Sequence, residues 1–334
     1  MATFHSLPPE LLLKIFSLAC GPVDLFPHLL QWRRRTETLL ALALVHTTWT
    51  PAAQELLGRH VVIVGSLENC ERKFRLLEEI SDRLQPRALW TLGDSAALWK
   101  DEGMGLWSRL KLIRLDEIGT KHLADFARFP QLEELFIFYG CLNAAAHFAF
   151  LTFPRLRRLV LDRGVRFVGQ PTASPILSPT FMSQLVHLEL DWSVLDLKTF
   201  QLILPQLETL AVSDNFISPF QFRILPDGLS ALTSLRHLSV AFWVPPLASR
   251  FFERLPALDL ESLHLESNIL LESQSSVERL IRVAKGEDSS MTAKRVVLYG
   301  SRRTIELEHP DLDLRGFEWR GDAEWPTFGT FNGH

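Results

Sequence analysis

Apolar side chains cover all but one stripe of the segment from Leu7 to Ala19. Along LPPELLLKIFSLA the polar residues Glu10, Lys14 and Ser17 recur at i, i+4 and i+7, and Leu11, Leu12, Leu13, Ile15, Phe16, Leu18 and Ala19 fill the rest of the circumference. Pro8 and Pro9 suit a first helical turn, whose amides have no intrahelical acceptor, and Ser6 can cap it, so a helix is predicted from about Leu7. It carries more apolar surface than a lone surface helix would. Gly21 to Thr38, with turn residues and the basic tripeptide Arg33–Arg35 beside Trp32, is predicted as a connection, and the arginines as a solvated helix start or loop. The apolar spacing resumes in LLALALVHTTWTPAAQELLGRHVVI. Leu42, Val45 and Trp49 step by three and four, and Thr50-Pro51 opens a further helix in which Ala53 and Leu57 continue the four-residue step. Three short helices, each with an apolar side, are therefore expected in residues 1–60.

From residue 110 a different phrase takes over. Leu-x-x-Leu-x-Leu, or a close variant, begins at Leu110 (LKLIRL), Leu132 (LEELFI), Leu156 (LRRLVL), Leu185 (LVHLEL), Leu207 (LETLAV), Leu235 (LRHLSV) and Leu260 (LESLHL), at steps of 22, 24, 29, 22, 28 and 25 residues. Each phrase predicts a short strand with its leucines turned to the core. Pro130, Pro154 and Pro205 stand just upstream of three of them as breaks between helix and strand. The intervening stretches LADFARF, AAAHFAFLTF, LKTFQLIL, ASRFFERL and SVERLIRVA show helical spacing. VVIV at Val61 and RALWTL at Arg87 are expected to be the first strands, AKRVVL from Ala293 to continue the series, and Phe317, Trp319, Trp325, Phe328 and Phe331 to cap its end. A phrase of this form at a period of roughly 20–29 residues is the signature of leucine-rich repeats, whose strands line one face of a curved solenoid. The asparagine that usually follows the phrase occurs only as Asn215 and Asn268, with Gly140, Gly164, Ser193 or Trp243 elsewhere, so an irregular solenoid is expected. The predicted fold class is α/β: a three-helix module over residues 1–60, then a strand-loop-helix array with a C-terminal cap over residues 61–334.

Taken together, LPPELLLKIF and LLALALVHTTWTPAAQELLGRHVV resemble the F-box, and the whole chain resembles F-box proteins with leucine-rich repeats of fungal, basidiomycete type. The matching residues are Leu7, Pro8, Glu10, Ile15, Val45 and Trp49; the departure is the connection from Gly21 to Thr38, longer and more basic than usual in the family. The resemblance implies a first helix sandwiched between its own small domain and the adaptor subunit of an SCF-type cullin ubiquitin ligase. It implies adaptor contacts at Leu7, Pro8, Glu10, Leu11, Ile15, Val45 and Trp49, and cullin as a partner through the adaptor.

Composition narrows the choice of partner. The 334 residues are 47% hydrophobic, and the longest aliphatic run, Leu39 to Val45, is too short to span a bilayer, so no membrane segment is expected. SLACG at Ser17 lacks the basic flank and uninterrupted apolar core of a secretory signal. Three widely spaced cysteines and the absence of Asn-x-Ser/Thr acceptors fit a reducing compartment, cytoplasmic or nuclear. A net charge of −4, from 35 basic and 39 acidic residues, argues against nucleic acid and anionic lipid as partners. A protein partner is expected.

Candidate chemistry changes the picture little. The chain has no glycine-rich phosphate loop, no His/Cys cluster at metal spacing and no nucleophile elbow, so no catalytic residue, metal or cofactor is expected. His187, His237 and His264 fall at strand positions where a surface or interface role is expected, and RGD at Arg320 to Asp322 is read as chance. Strand alternation turns the third, fifth and seventh positions of each phrase away from the leucines. Glu134, Phe136, Phe138, Arg158, Asp162, Glu189, Asp191, His264 and Glu266 are thereby candidate target-binding residues, with Phe136 and Phe138 as exposed anchors and the acids favouring a basic segment. The expected function is a non-catalytic substrate receptor for an unknown protein target. The alternative is a leucine-rich-repeat scaffold not linked to ubiquitination.

Overall fold

The computed structural model describes residues 7–20, 29–63, 67–79, 86–92, 107–122, 126, 128–143, 153–162, 166–168, 176–177, 183–191, 201–202, 204–214, 229, 232–242, 257–266, 274–288, 291–308, 310–311 and 313–321. It is an α/β structure built on parallel strands, in two units, one on Met1–Leu115 and the other on Asp116–Pro326.

The first unit contains α1 (Pro9–Ala19), α2 (Leu29–Val45), α3 (Thr50–Arg59), β1 (His60–Ile63), α4 (Leu67–Glu79) and β2 (Ala88–Leu92), and the cut between the units falls within β3 (Leu112–His122). α1 starts at Pro9 rather than Leu7. Pro8 is its N-cap, extended at φ −57° and ψ 145°, and its carbonyl accepts the amides of Leu11 at 3.0 Å and Leu12 at 3.1 Å. No side chain caps the helix, and Ser6 lies outside the described residues. α2 begins at Leu29, so Arg33–Arg35 belong to a helix and not to a connection. Arg34 is exposed, but Arg35 is buried at 8% exposure, which corrects the expectation of a solvated side chain at that position: its long apolar stem lets a helix position facing inward accept it. Burial in turn pulls the Arg35 pKa below its ordinary value. Leu12, Phe16, Leu39, Ala52, Ala53 and Leu56 form the core between α1, α2 and α3, with Leu7, Leu13, Leu42, Trp49 and Leu57 packed on it. The rings of Phe16 and Trp49 meet edge to face with centroids 5.4 Å apart, and the Thr50 hydroxyl donates to the Ala43 carbonyl at 2.9 Å, closing α3 back on α2. β1 and β2, both expected as strands, pair in parallel with Val62 opposite Trp90.

The second unit continues with β4 (Glu134–Asn143), β5 (Arg158–Asp162), β6 (Arg166–Val168), β7 (Ile176–Leu177), β8 (His187–Asp191), β9 (Gln201–Leu202), β10 (Thr209–Asp214), β11 (His237–Phe242), β12 (Leu258–Glu266), α5 (Gln274–Lys285), β13 (Met291–Tyr299), α6 (Arg302–Glu308) and β14 (Phe317–Arg320). Its sheet runs in chain order, β4-β5-β8-β10-β11-β12-β13-β14, with β6 beside the far end of β4 and β7 paired separately with β9. The register puts phrase on phrase: Leu135 opposite Leu159, Leu159 opposite Leu188, Leu188 opposite Leu210, Leu210 opposite Leu238 and Leu238 opposite Leu263. The apolar positions of all seven phrases are buried. Each such side chain contributes roughly 1.5–3 kcal/mol on leaving water.

A turn recurs in front of the phrase. The amides of Leu110, Leu132, Leu156, Leu207 and Leu235 donate to the carbonyls of Trp107, Phe129, Phe153, Leu204 and Leu232, three residues back, at 2.9–3.2 Å. Pro130, Pro154 and Pro205 occupy the second position of this turn, where a φ near −65° is wanted and no amide hydrogen is needed. The turn-opening residues are themselves buried and form a further apolar position of the repeating unit, one that the six-residue phrase leaves out.

Helix predictions fared unevenly. SVERLIRVA lies in α5, whereas Gln201 and Leu202 of LKTFQLIL form the strand β9. A short apolar run does not distinguish the two periods. AAAHFAFLTF up to Thr152, most of LADFARF and ASRFFERL lie outside the described residues, as do Gly164, Ser193, Asn215, Trp243, Asn268, Trp325, Phe328 and Phe331. Phe317 and Trp319 sit on β14.

Candidate interaction sites

The same helix that fills the first unit's core keeps an apolar face in solvent. Leu12 and Phe16 are 3% and 1% exposed, whereas Leu11, Ile15 and Leu18, at i, i+4 and i+7, are 47%, 36% and 73% exposed. On α2, Leu40, Leu44 and Val45 are 51%, 88% and 60% exposed. Of the residues expected to touch an adaptor, Leu11, Ile15 and Val45 therefore present apolar surface, and Pro8 and Glu10 are exposed at the start of α1. Leu7 and Trp49 are half-buried against the core. Leu18, Leu40 and Leu44 were missed. Their signal was in the sequence, as apolar residues beyond those the core of so small a bundle can use.

The sheet face that carries the candidate target contacts is itself covered. Phe136 is 0% and Phe138 7% exposed, so the expectation of two exposed aromatic anchors is corrected. Glu189 and His264 are buried as well, and His187 is buried where a surface role was expected. Strand alternation tells which face a side chain occupies and nothing of what lies over that face; parallel sheets are commonly buried on both. Glu134 and Arg158 are half-buried, and the side chains of Asp162, Asp191 and Glu266, at the carboxyl ends of β5, β8 and β12, lie outside the described residues.

Polar side chains on this face bond one another, while Glu189 Oε2 is buried without a hydrogen-bond partner. Arg158 Nη2 donates to Glu189 Oε1 at 2.8 Å, the His187 ring meets the same oxygen through Nε2, and the Arg158 guanidinium stands 5.3 Å from the centre of the Phe136 ring. Burial pushes the Glu134 carboxyl up, against the opposing pull of Arg158. Further along, Ser262 Oγ lies 2.8 Å from His237 Nδ1 and 3.0 Å from His264 Nε2, and His264 Nδ1 lies 3.0 Å from the Tyr299 hydroxyl. Burial, then the nearby Arg320 and Arg295, holds His264 down to about 3, and burial lifts Tyr299 to about 12. Both groups are thus neutral near pH 7. Glu318 accepts from Arg295 at 2.6 Å and Arg320 at 2.8 Å beside them. β4 changes partner part-way along: Phe138 pairs with Asp162 of β5, Cys141 with Arg166 of β6, and Tyr139 between them takes φ 50° and stands 52% exposed.

Among the described residues no group of three His, Cys, Asp or Glu side chains could hold a metal ion, and no helix is long and apolar enough to cross a membrane. No protein-family model matches the chain, and no curated protein matches it.

Proposed function

We propose that the chain is a non-catalytic substrate-recognition subunit of an SCF-type cullin ubiquitin ligase. In this reading α1, α2 and α3 are an F-box-like module that binds the adaptor, and the strands from β1 onward are an irregular leucine-rich-repeat array that holds a target protein. Catalysis is then proximity, with the target held near a ubiquitin-charged enzyme in a reducing compartment, cytoplasmic or nuclear. The observation that carries it is the two-sidedness of α1: Leu12 and Phe16 complete the core while Leu11, Ile15 and Leu18 remain as an apolar stripe, a surface suited to a protein partner. The target contact falls away from the buried Phe136 and Phe138, on the exposed Tyr139 of β4.

The test is adaptor capture by the purified full chain. The double variant Leu11→Glu, Leu18→Lys adds an acid to the first turns and a base to the last turn of α1, both favourable to the helix dipole, so the fold is retained while the stripe is broken. Capture by the parent and its loss in the variant, with an unchanged circular dichroism spectrum, is the expected outcome. Undiminished capture by the variant, or no capture by the parent, sinks the reading; adaptor capture without cullin favours the scaffold alternative.

A further inference from the structure

At the start of the parallel strands one register position carries a charge on nearly every strand. In the second unit the signs alternate: Glu133 lies opposite Arg157, and beyond the uncharged Val186 the series runs Glu208, Arg236, Glu261, Lys294, each opposite the one before. Opposite charges there neutralise one another. Arg236 Nη1 meets Glu261 Oε1 at 3.3 Å, and Lys294 Nζ lies 3.8 Å from the same oxygen.

The first unit fills the same position with Arg59, Arg87 and Lys111, three cations in succession. The Arg59 carbonyl accepts the Arg87 amide at 2.8 Å and the Arg87 carbonyl accepts the Lys111 amide at 2.8 Å, so the three stand side by side, about 4.8 Å apart across the sheet. Like charges placed so repel. Glu55, one turn back on α3, pairs with Arg59, whereas Arg87 is exposed and forms no ion pair among the described residues. Lys111 is exposed as well. His60, the first residue of β1, senses the same field: beyond its burial, the charged groups acting on it are Arg35, Arg59 and Arg87, all cations.

We propose that the row Arg59–Arg87–Lys111 is a docking site for an acidic peptide segment of a protein partner, whose carboxylates supply the counter-charge that the second unit's row supplies to itself. The row is short. Two strand spacings make about 10 Å, room for two successive same-side carboxylates of an extended peptide, which recur about every 6.8 Å. A nucleic acid or an anionic bilayer would need a longer basic stripe and would be repelled by the rest of a chain whose net charge is −4. Such docking is independent of whether the chain serves a ubiquitin ligase.

Fluorescence anisotropy of a fluorescein-labelled peptide of alternating Glu and Ser, titrated with the full chain at low salt, tests it. The peptide should bind, and binding should weaken at high salt, because the row is open to screening. Arg87→Glu gives the row the alternating signs of the second unit, so the fold should hold, as circular dichroism checks, while affinity falls about tenfold. Arg303→Glu makes the same change of charge at an exposed site on α6 and should leave affinity within about twofold of the parent's. If Arg87→Glu fails to fold, Arg87→Gln and Lys111→Gln stand in, each weakening binding about threefold. No binding by the parent, full affinity in the row variants, an equal loss in Arg303→Glu, or tighter binding of a uridine oligonucleotide or of phosphatidylserine vesicles than of the peptide overturns the docking site.

Discussion

Replacing Phe16 by alanine removes the largest side chain from a six-residue core that α1, α2 and α3 share, and replacing Leu18 by lysine changes a residue two positions away on the same helix. The two should differ sharply. Phe16 is 1% exposed, so its truncation forfeits the transfer free energy of the ring and leaves a cavity, together about 3–5 kcal/mol. Of that, about 0.5–1.5 kcal/mol belongs to the edge-to-face contact with Trp49. Leu18 is 73% exposed and lies in the last turn of α1, where a cation is favoured, so Leu18→Lys should stay within about 0.5 kcal/mol of the parent. Urea denaturation followed by circular dichroism and tryptophan fluorescence reads both: the first unit's transition should move to markedly lower urea in Phe16→Ala and stay in position in Leu18→Lys. Equal losses in the two variants would refute the two-sided helix, because they would mean that the outer stripe is packed within the chain itself. A loss below about 1 kcal/mol for Phe16→Ala would refute the core assignment.

Two other expectations follow from buried polar groups. Arg158→Met should destabilise the second unit by about 3–5 kcal/mol, because the Glu189 carboxylate stays buried without its guanidinium, and Arg158→Met combined with Glu189→Gln should recover most of it; a denaturation cycle on the four proteins checks this. His60 is held down to about 4 by burial and then by Arg35, Arg59 and Arg87. Its folded pKa lies below the unfolded value of roughly 6.5, so its contribution is fully present above that value and is lost as pH falls from there toward about 4. His60→Gln should flatten the acid limb of a stability-against-pH curve by about 3 kcal/mol, and an unchanged limb would count against it.

The strands were legible because seven phrases repeat the same three apolar positions, and a leucine, isoleucine or valine at every such position leaves one register that buries all of them. The turn before five of the phrases was half legible. Its prolines stood out, but Trp107, Phe129, Phe153, Leu204 and Leu232 share only bulk and apolarity, a weaker signal than a repeated leucine. Arg35 misled because charge marks a surface only when the side chain is short; a long stem can be buried in a helix whose neighbours are apolar. Phe136 and Phe138 were assigned to the correct face and the wrong environment, since a period of two carries no information on the layer above the sheet. Glu189 and Arg158 lie on separate phrases, and no local rule pairs residues 31 positions apart.

The chain-order sheet also bears on how the second unit reaches its structure. Every register partner from β4 to β13 on the sheet's main path is close along the chain, from 22 residues between Leu188 and Leu210 to 33 between Leu263 and Val296. Closing loops of such similar length carries nearly the same entropic penalty each time, about 3 kcal/mol beyond a constant, so no strand pair is set apart as the obligatory first step by separation alone. Once one pair has formed, each further strand has only its own short loop to close against a template already in place. Nucleation is then free to move along the sheet: a substitution that slows one pair diverts folding to another start and leaves the overall rate nearly intact.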